Sequence, residues 1–257
     1  MLEIAIQAAR EAGQYLKESV GKVRSIEVKQ GEERNLVSEI DKTSEATIIR
    51  ILRSHFPTHA FLAEEGSGAG SASDYTWVID PLDGTTNFLH GLPIFCVTIG
   101  LEHKGEIVAG VVYDPNREEL FTAEKGSGAF LNGTRLRVTT TDSLLHSLVV
   151  TGFPYNIAEN PRNAVERFVG FLMAARGVRR LGSAALDLSY VAAGRFDGFW
   201  EVYLHPWDMA AGMLLVSEAG GTTSDFAGKP MSIYRHDILA SNGRIHQEML
   251  QVLSKAG

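Results

Sequence analysis

Cysteine is almost absent from this chain: Cys96 is the single one in 257 residues. One thiol can form neither an intramolecular disulfide nor a cysteine-based zinc cluster, so a reducing compartment is expected. Its setting, IFCVTIG, reads as core, where a thiol behaves as a small hydrophobe. Long apolar runs are also missing, and none approaches the roughly 20 residues of a membrane span. The opening MLEIAIQAAREAGQYLKE carries Glu3, Arg10 and Glu11 inside its apolar pattern, which does not suit a signal peptide. A cytoplasmic protein, with no membrane partner, is the expectation. Positive charge is in deficit as well: 24 Lys+Arg against 31 Asp+Glu leave a formal net charge of -7. That balance disfavours nonspecific nucleic-acid binding, and a small anionic substrate would need a local positive feature, either a metal ion or a set of backbone N–H groups. Several nucleotide and metal signatures are absent too. There is no GxxxxGK[ST], DPLDGT does not meet the EF-hand pattern, and the eight histidines show no HExxH. Gly66, Gly68 and Gly70 in EEGSGAG have no helix behind them and read as a surface loop, not a dinucleotide fingerprint.

What is present has globular composition, 44% hydrophobic and 21% charged, over a length that fits one large domain or two closely joined lobes. Leu2, Ile6, Ala9, Ala12 and Leu16 recur every three or four residues and predict an amphipathic helix. Ile40, Ser44, Ile48, Ile51 and His55 predict a second, closed by Pro57. AFLAEE, TWVID, IFCVTIGLEH and EIVAGVVYDP are rich in β-branched and aromatic residues and read as strands. ELFTAEKGSGAFLNGTRLRV reads as a hairpin pair turning at Asn132-Gly133. Past about residue 143 strand and helix alternate, with helices expected in NPRNAVERFVGFLMAARG, SAALDLSYVAAG and HPWDMAAGMLLVSEAGG and a strand in FDGFWEVYL. With no repeat or Pro/Ser-rich linker, any two lobes, 1–142 and 143–257, are expected to be packed together as one catalytic unit.

The stretch WVIDPLDGTTNFLHG, residues 77–91, carries the chemistry. Trp77, Val78 and Ile79 form a strand that delivers Asp80 at its carboxyl end, where α/β sheets place ligands. Pro81 has no N–H and is expected to stop the ladder. A reversal at Asp83-Gly84 would bring the second carboxylate back toward the first, and Gly84-Thr85-Thr86 would open a helix whose free N–H groups face the same point. Carboxylates and an anion site repel unless a cation lies between them. Oxygen ligands alone suit a hard ion such as Mg²⁺, and metal-assisted phosphoryl hydrolysis follows. A DxxDG stretch is also a common turn cap. Other acids add to it: Glu64 and Glu65 close AFLAEE, Asp208 opens the helix of HPWDMAAG, and Asp41 in NLVSEIDK precedes a helix. The last two fit helix N-terminal preferences equally well.

Together AEEG, WVIDPLDGTTNF, LGSAALDLSYVAAGRFDGFWE and PWDMAAG resemble the inositol monophosphatase family, in order and over nearly the whole chain. The resemblance implies a layered αβαβα sandwich of α/β (α+β) class, shared with fructose-1,6-bisphosphatase. It also implies a lithium-sensitive phosphomonoesterase that uses two or three Mg²⁺ ions, usually as a homodimer, on a small-molecule phosphate monoester such as myo-inositol monophosphate. Carried over, Glu64, Asp80 and the Leu82 carbonyl hold one metal, and Asp80, Asp83 and Asp208 hold another. Thr85, backed by Asp41 and with Glu64 nearby, orients and deprotonates the attacking water, whose in-line attack releases phosphate. The Gly84 and Thr85 amides, beside Asp83, contact the phosphate. Gly182, Ser183, Ala184 and Glu201 touch the polyol, although Glu201 also reads as a charged strand end facing solvent.

Three rivals are weighed. A haloacid-dehalogenase-type phosphatase has a DxDGT loop on its first strand, whereas here two residues separate the acids and Asp80 follows two helices and a strand. Same-fold phosphatases acting on fructose-1,6-bisphosphate, a nucleotide 3′-phosphate or histidinol phosphate share the metal motifs, so GFPYNIAENPRN and residues 180–205 must decide the substrate. A regulatory binding protein that keeps the fold would draw on Arg176, Arg179 and Arg180, which also read as cations at a solvated helix end.

Overall fold

A computed structural model describes residues 1–23, 26–28, 36–66 and 73–255. Gly68 and Gly70 of the expected surface loop lie outside the described residues.

Among the described residues seven α-helices form: α1 (Leu2–Ser19), α2 (Glu39–His55), α3 (Thr85–Leu89), α4 (Ala164–Ala174), α5 (Ala184–Ala192), α6 (Pro206–Glu218) and α7 (His246–Lys255). A short pair, β1 (Ile26–Val28) and β2 (Leu36–Ser38), precedes a seven-stranded sheet of β3 (Ala60–Ala63), β4 (Tyr75–Asp83), β5 (Cys96–His103), β6 (Glu106–Asp114), β7 (Glu119–Glu124), β8 (Gly128–Leu131) and β9 (Thr134–Arg135) in chain order. Only β3 and β4 run parallel within it. A five-stranded sheet is built from β10 (Leu148–Thr151), β11 (Gly177–Arg179), β12 (Gly198–Glu201), β13 (Thr222–Ser224) and β14 (Ile238–Ser241), in the order β11-β10-β12-β14-β13.

The layers follow from where each helix is apolar. On α1 the buried side chains are Ala5, Ala8, Ala9, Ala12 and Leu16, a narrow small-residue stripe that lets the helix lie close to α2 and the outer face of the first sheet. Ile40, Ser44, Ile48 and Ile51 of α2 are buried as their spacing predicts, whereas His55 is exposed at the fraying end. α5 and α6 are apolar nearly all round, which suits helices enclosed on both sides. They lie between the two sheets, while α4 and α7 pack together on the far face of the second. The order is helix, sheet, helix, sheet, helix, as the resemblance implied.

Small residues set how deeply α6 sits. A Cβ on Gly100 would be 2.7 Å from Ala210 Cβ, and one on Gly110 would be 2.9 Å from Ala211 Cα. Larger side chains on β5 and β6 would lift the helix off the sheet. This close seat fixes the first turn of α6, and with it Asp208, beside the end of β4.

Candidate active site

The strand carrying Asp80 does not end at Pro81. β4 continues to Asp83: Asp80 pairs with Thr98 and Asp83 with Cys96, so three steps on β4 match two on β5. The extra residue makes a bulge, which accommodates a proline without a ladder hydrogen bond. It also explains the site. Residues three apart on a regular strand point to opposite faces, and the bulge returns Asp80 and Asp83 to one side. Gly84 then takes φ +99°, and a Cβ there would lie 2.9 Å from the Ile94 carbonyl oxygen. That left-handed turn starts α3, as the sequence predicts.

Glu64 follows β3 directly, held by its N–H donating to the Ile79 carbonyl at 3.2 Å. Glu65, its sequence neighbour, belongs elsewhere: its N–H donates to Glu45 Oε2 at 2.7 Å, tying this turn to α2. Asp80 Oδ1 accepts from the Leu82 N–H at 2.9 Å. Asp208 Oδ2 accepts from the His205 N–H at 2.7 Å, closing a capping box at the start of α6. Asp83 Oδ2 accepts from the Ser183 hydroxyl at 2.7 Å and the Ala185 N–H at 2.7 Å. Ser183 also caps α5 through the Leu186 N–H. Ser183 and Ala184 thus serve Asp83 directly, while Gly182, at φ +86°, lets the chain turn into them. Asn87 holds this turn against α3 by donating to the Ile94 and Leu181 carbonyls, both at 2.8 Å.

Asp80, Asp83 and Asp208 each feel the charge of neighbouring acids. Burial first, and then the charges of Glu64, Asp83 and Asp208, push Asp80 well above the usual carboxylate range. Burial and Asp83 push Asp208 the same way against the His205 hydrogen bond. Asp83 rises to about 6 because burial outweighs its Ser183 and Ala185 bonds. Carboxylates gathered this closely in a low-dielectric setting favour either protons or a cation. Cys96, 3.8 Å from Asp83 through its sulfur, is driven up by burial and keeps its proton. The donors are therefore all oxygen, which fits a hard divalent cation and not zinc. Among the described residues no three acidic, imidazole or thiol side chains stand ready in coordinating geometry; each Asp gives an oxygen to a protein donor.

Beside the acids, Thr85 Oγ1 lies 3.1 Å from Asp41 Oδ1 and 3.1 Å from the Leu82 carbonyl, either of which can accept its hydrogen bond. Asp41, 1% exposed, is fixed by the Ser38 N–H and hydroxyl on Oδ2 at 2.8 and 2.6 Å. Asp41 does not precede the helix: it is the third residue of α2, where it completes a capping box with the N-cap Ser38, and this leaves Oδ1 for Thr85. Ser44 on α2 donates to the Pro81 carbonyl at 2.9 Å, locking this helix to the bulge.

Glu201 does not face solvent. It is 8% exposed, and burial, with the Asp83 charge, raises it to about 8 against the influence of Arg180. Asp187 on α5 is buried, neither oxygen has a hydrogen-bond partner among the described residues, and burial and Glu201 push it well above the usual range. The helix-end reading of the arginines holds for Arg176 alone, which follows α4; Arg179 ends β11, and Arg180 turns its charge toward Glu201 and Asp187. Asn87, Asp187 and Arg180 were not singled out in the sequence as site residues. Asn87 lies inside DPLDGTTNF and was open to notice, whereas the other two matter only through contacts between distant segments.

A layered αβαβα fold with a cluster of acids, a hydroxyl and a short helix N-terminus at one sheet end defines a phosphatase-type site. The chain belongs to the inositol monophosphatase family, matching it over residues 1–257. It is 47% identical over 258 residues to the Nus factor SuhB of Pseudomonas aeruginosa, covering 98% of this chain and 95% of that protein. It is 43% identical over 256 residues to an inositol-1-monophosphatase of Mesorhizobium japonicum, covering 99% and 96%. The solved inositol monophosphatase from Anabaena (Nostoc) superposes with a TM-score of 0.90 at 43% identity, covering 99% of this chain and 95% of that one.

Proposed function

We propose that this chain is a Mg²⁺-dependent phosphomonoesterase whose substrate is a myo-inositol monophosphate. One observation carries this reading: Glu64, Asp80, Asp83 and Asp208, from three separate elements, converge beside the Thr85–Asp41 hydrogen bond, where burial and the neighbouring acids raise the proton affinity of Asp80, Asp83 and Asp208. Glu64, Asp80 and the Leu82 carbonyl would hold one ion, and Asp80, Asp83 and Asp208 a second. Bound there, the ions would offset the acids' charge, polarise the phosphoryl group and acidify water.

The chain's own residues do the rest. Thr85 presents its hydroxyl oxygen to the attacking water and passes a proton toward Asp41, whose burial raises its proton affinity and readies it to accept. The Gly84 and Thr85 amides at the first turn of α3 face the phosphoryl oxygens. Glu201 and the Gly182-Ser183-Ala184 turn bound the leaving alcohol, with Arg180 behind Glu201. No side chain here serves as a covalent nucleophile, so attack is direct and in line.

The test is phosphate release from a panel of monoesters in Mg²⁺, with and without EDTA. Inositol monophosphate is expected to give the largest kcat/KM. Preference for fructose-1,6-bisphosphate, a nucleotide 3′-phosphate or histidinol phosphate would replace the substrate and keep the chemistry. Lithium is expected to inhibit at limiting Mg²⁺ by competing at the Asp80, Asp83 and Asp208 cluster. A homodimer is expected, because Val165, Val169, Leu172 and Met173 leave an exposed apolar stripe on α4; sedimentation of the full chain measures it.

A second reading, a regulatory role through a macromolecular partner, is favoured by the exposed Arg176 and Arg179 beyond that stripe and by the name Nus factor carried by a relative. Asp83→Asn separates the two: turnover lost with a cellular phenotype intact would support a binding role.

A further inference from the structure

In the reading above the Gly182-Ser183-Ala184 turn borders the leaving alcohol, yet its one polar side chain is turned inward: Ser183 is 2% exposed. A hydroxyl has one proton to give and two lone pairs to fill. The Ser183 proton goes to Asp83 Oδ2 at 2.7 Å, a residue 100 positions earlier in the chain. One lone pair takes the Leu186 N–H at 3.4 Å and caps α5. The buried Cys96 thiol lies 3.6 Å from the same oxygen and 3.8 Å from Asp83 Oδ2, and covers the remaining side. Little of this hydroxyl is left for a polyol.

Asp83 is correspondingly held by one oxygen. The Ser183 hydroxyl, the Ala185 N–H at 2.7 Å and the weaker Cys96 thiol all act on Oδ2, so Oδ1 is the oxygen left to a cation. The holders are themselves fixed. Asn87 of α3 donates to the Leu181 carbonyl at 2.8 Å and seats the turn. A Cβ on Gly212 of α6 would be 2.6 Å from Leu188 Cβ, so α5 lies hard against the helix that carries Asp208. Two acids are thus placed from one seam: Asp208 by the first turn of α6, and Asp83 by the first turn of α5. A residue that fixes a ligating carboxylate from behind sets how tightly the cation is held.

We propose that Ser183 is a positioning residue for Asp83, its hydroxyl holding Oδ2 so that Oδ1 faces the cation, and that its side chain makes no contact with the alcohol. This assignment rests on the phosphatase reading above.

Calorimetric titration of Mg²⁺ into the full, EDTA-stripped chain tests it. The second readout is kcat/KM on myo-inositol monophosphate and on 4-nitrophenyl phosphate, which has no polyol. Ser183→Ala is expected to bind Mg²⁺ about tenfold more weakly and to lose kcat/KM by an equal factor on both esters, whereas Ser183→Thr, which keeps the donor, is expected to match the wild type. Ile245→Val, in the apolar cluster shared by α4 and α7, removes stability comparable to a lost cap and is expected to bind Mg²⁺ as the wild type does. Unchanged Mg²⁺ affinity in Ser183→Ala, a loss confined to the inositol ester, or an equal weakening in Ile245→Val overturns the assignment alone. A wild-type chain that neither binds Mg²⁺ nor cleaves either ester overturns the phosphatase reading and this assignment with it.

Discussion

Asp83 shows how much one side chain carries here. It receives the N-terminus of α5 through Ser183 and Ala185 while raising the proton affinity of Asp80 and Asp208. Thr85 and Asp41 form the adjoining pair. Thr85→Val, which keeps the β-branched shape and removes the hydroxyl, is expected to lower kcat by about 10²–10³-fold with KM little changed; steady-state kinetics on the preferred monoester measures the split. Glu201 gives a prediction about stability. It holds its proton up to about 8 in the folded chain against an ordinary 4.5, so the folded state binds that proton more tightly than the unfolded state. The stability this supplies is complete below the ordinary value and is lost as pH rises through the folded one. A shift of this size is worth on the order of 3–5 kcal/mol. In metal-free buffer the melting temperature is expected to fall between pH 5 and pH 8, and Glu201→Gln is expected to flatten part of that fall. An identical slope in the variant would remove Glu201 as a source. Asp187 and Arg180 lie within the residues 180–205 expected to decide the substrate, but their individual roles depend on contacts with Glu201 and Asp83 that the sequence does not show.

At the scale of elements, local chemistry was legible wherever it decided the outcome. The periodicity of α1 and α2, the Ser183 cap, and Asn132-Gly133, both at positive φ, all formed as their residues predict. Pro81 departs from its local signal. A missing N–H was expected to end the strand, but cross-strand pairing with β5 resumes two residues later, and the proline falls in a bulge. Tertiary pairing overrode the local signal, and the resulting bulge is what puts both aspartates on one side. Gly84 is the hinge of this arrangement. Gly84→Ala is expected to destabilise the chain by about 1–3 kcal/mol, through its left-handed backbone and the crowding by Ile94, and to lower activity further by displacing α3. Denaturant unfolding together with kcat measures both, and a variant of wild-type stability would contradict the strained-turn account.

The molecule as a whole is held together through its middle layer. Residues from both halves, among them Val112 and Phe121 on one side and Val150, Leu186 and Phe199 on the other, share one apolar cluster around α5 and α6. We propose on this ground that the halves 1–142 and 143–257 unfold together. Calorimetry is expected to show one transition with equal calorimetric and van't Hoff enthalpies, and two resolved transitions would divide the molecule. No helix among the described residues is long and apolar enough to cross a membrane. The layering itself could not be read from periodicity, because α6 is apolar nearly all round and its pattern does not say which sheet it meets. The account depends most on divalent cations being bound by acids from three elements. Mg²⁺ titration of the full, EDTA-stripped chain, followed by phosphate release in the same samples, tests this directly. Binding and turnover are expected to rise together and both to disappear in Asp80→Asn, whereas full turnover in excess EDTA, or unchanged Mg²⁺ affinity in that variant, would contradict it.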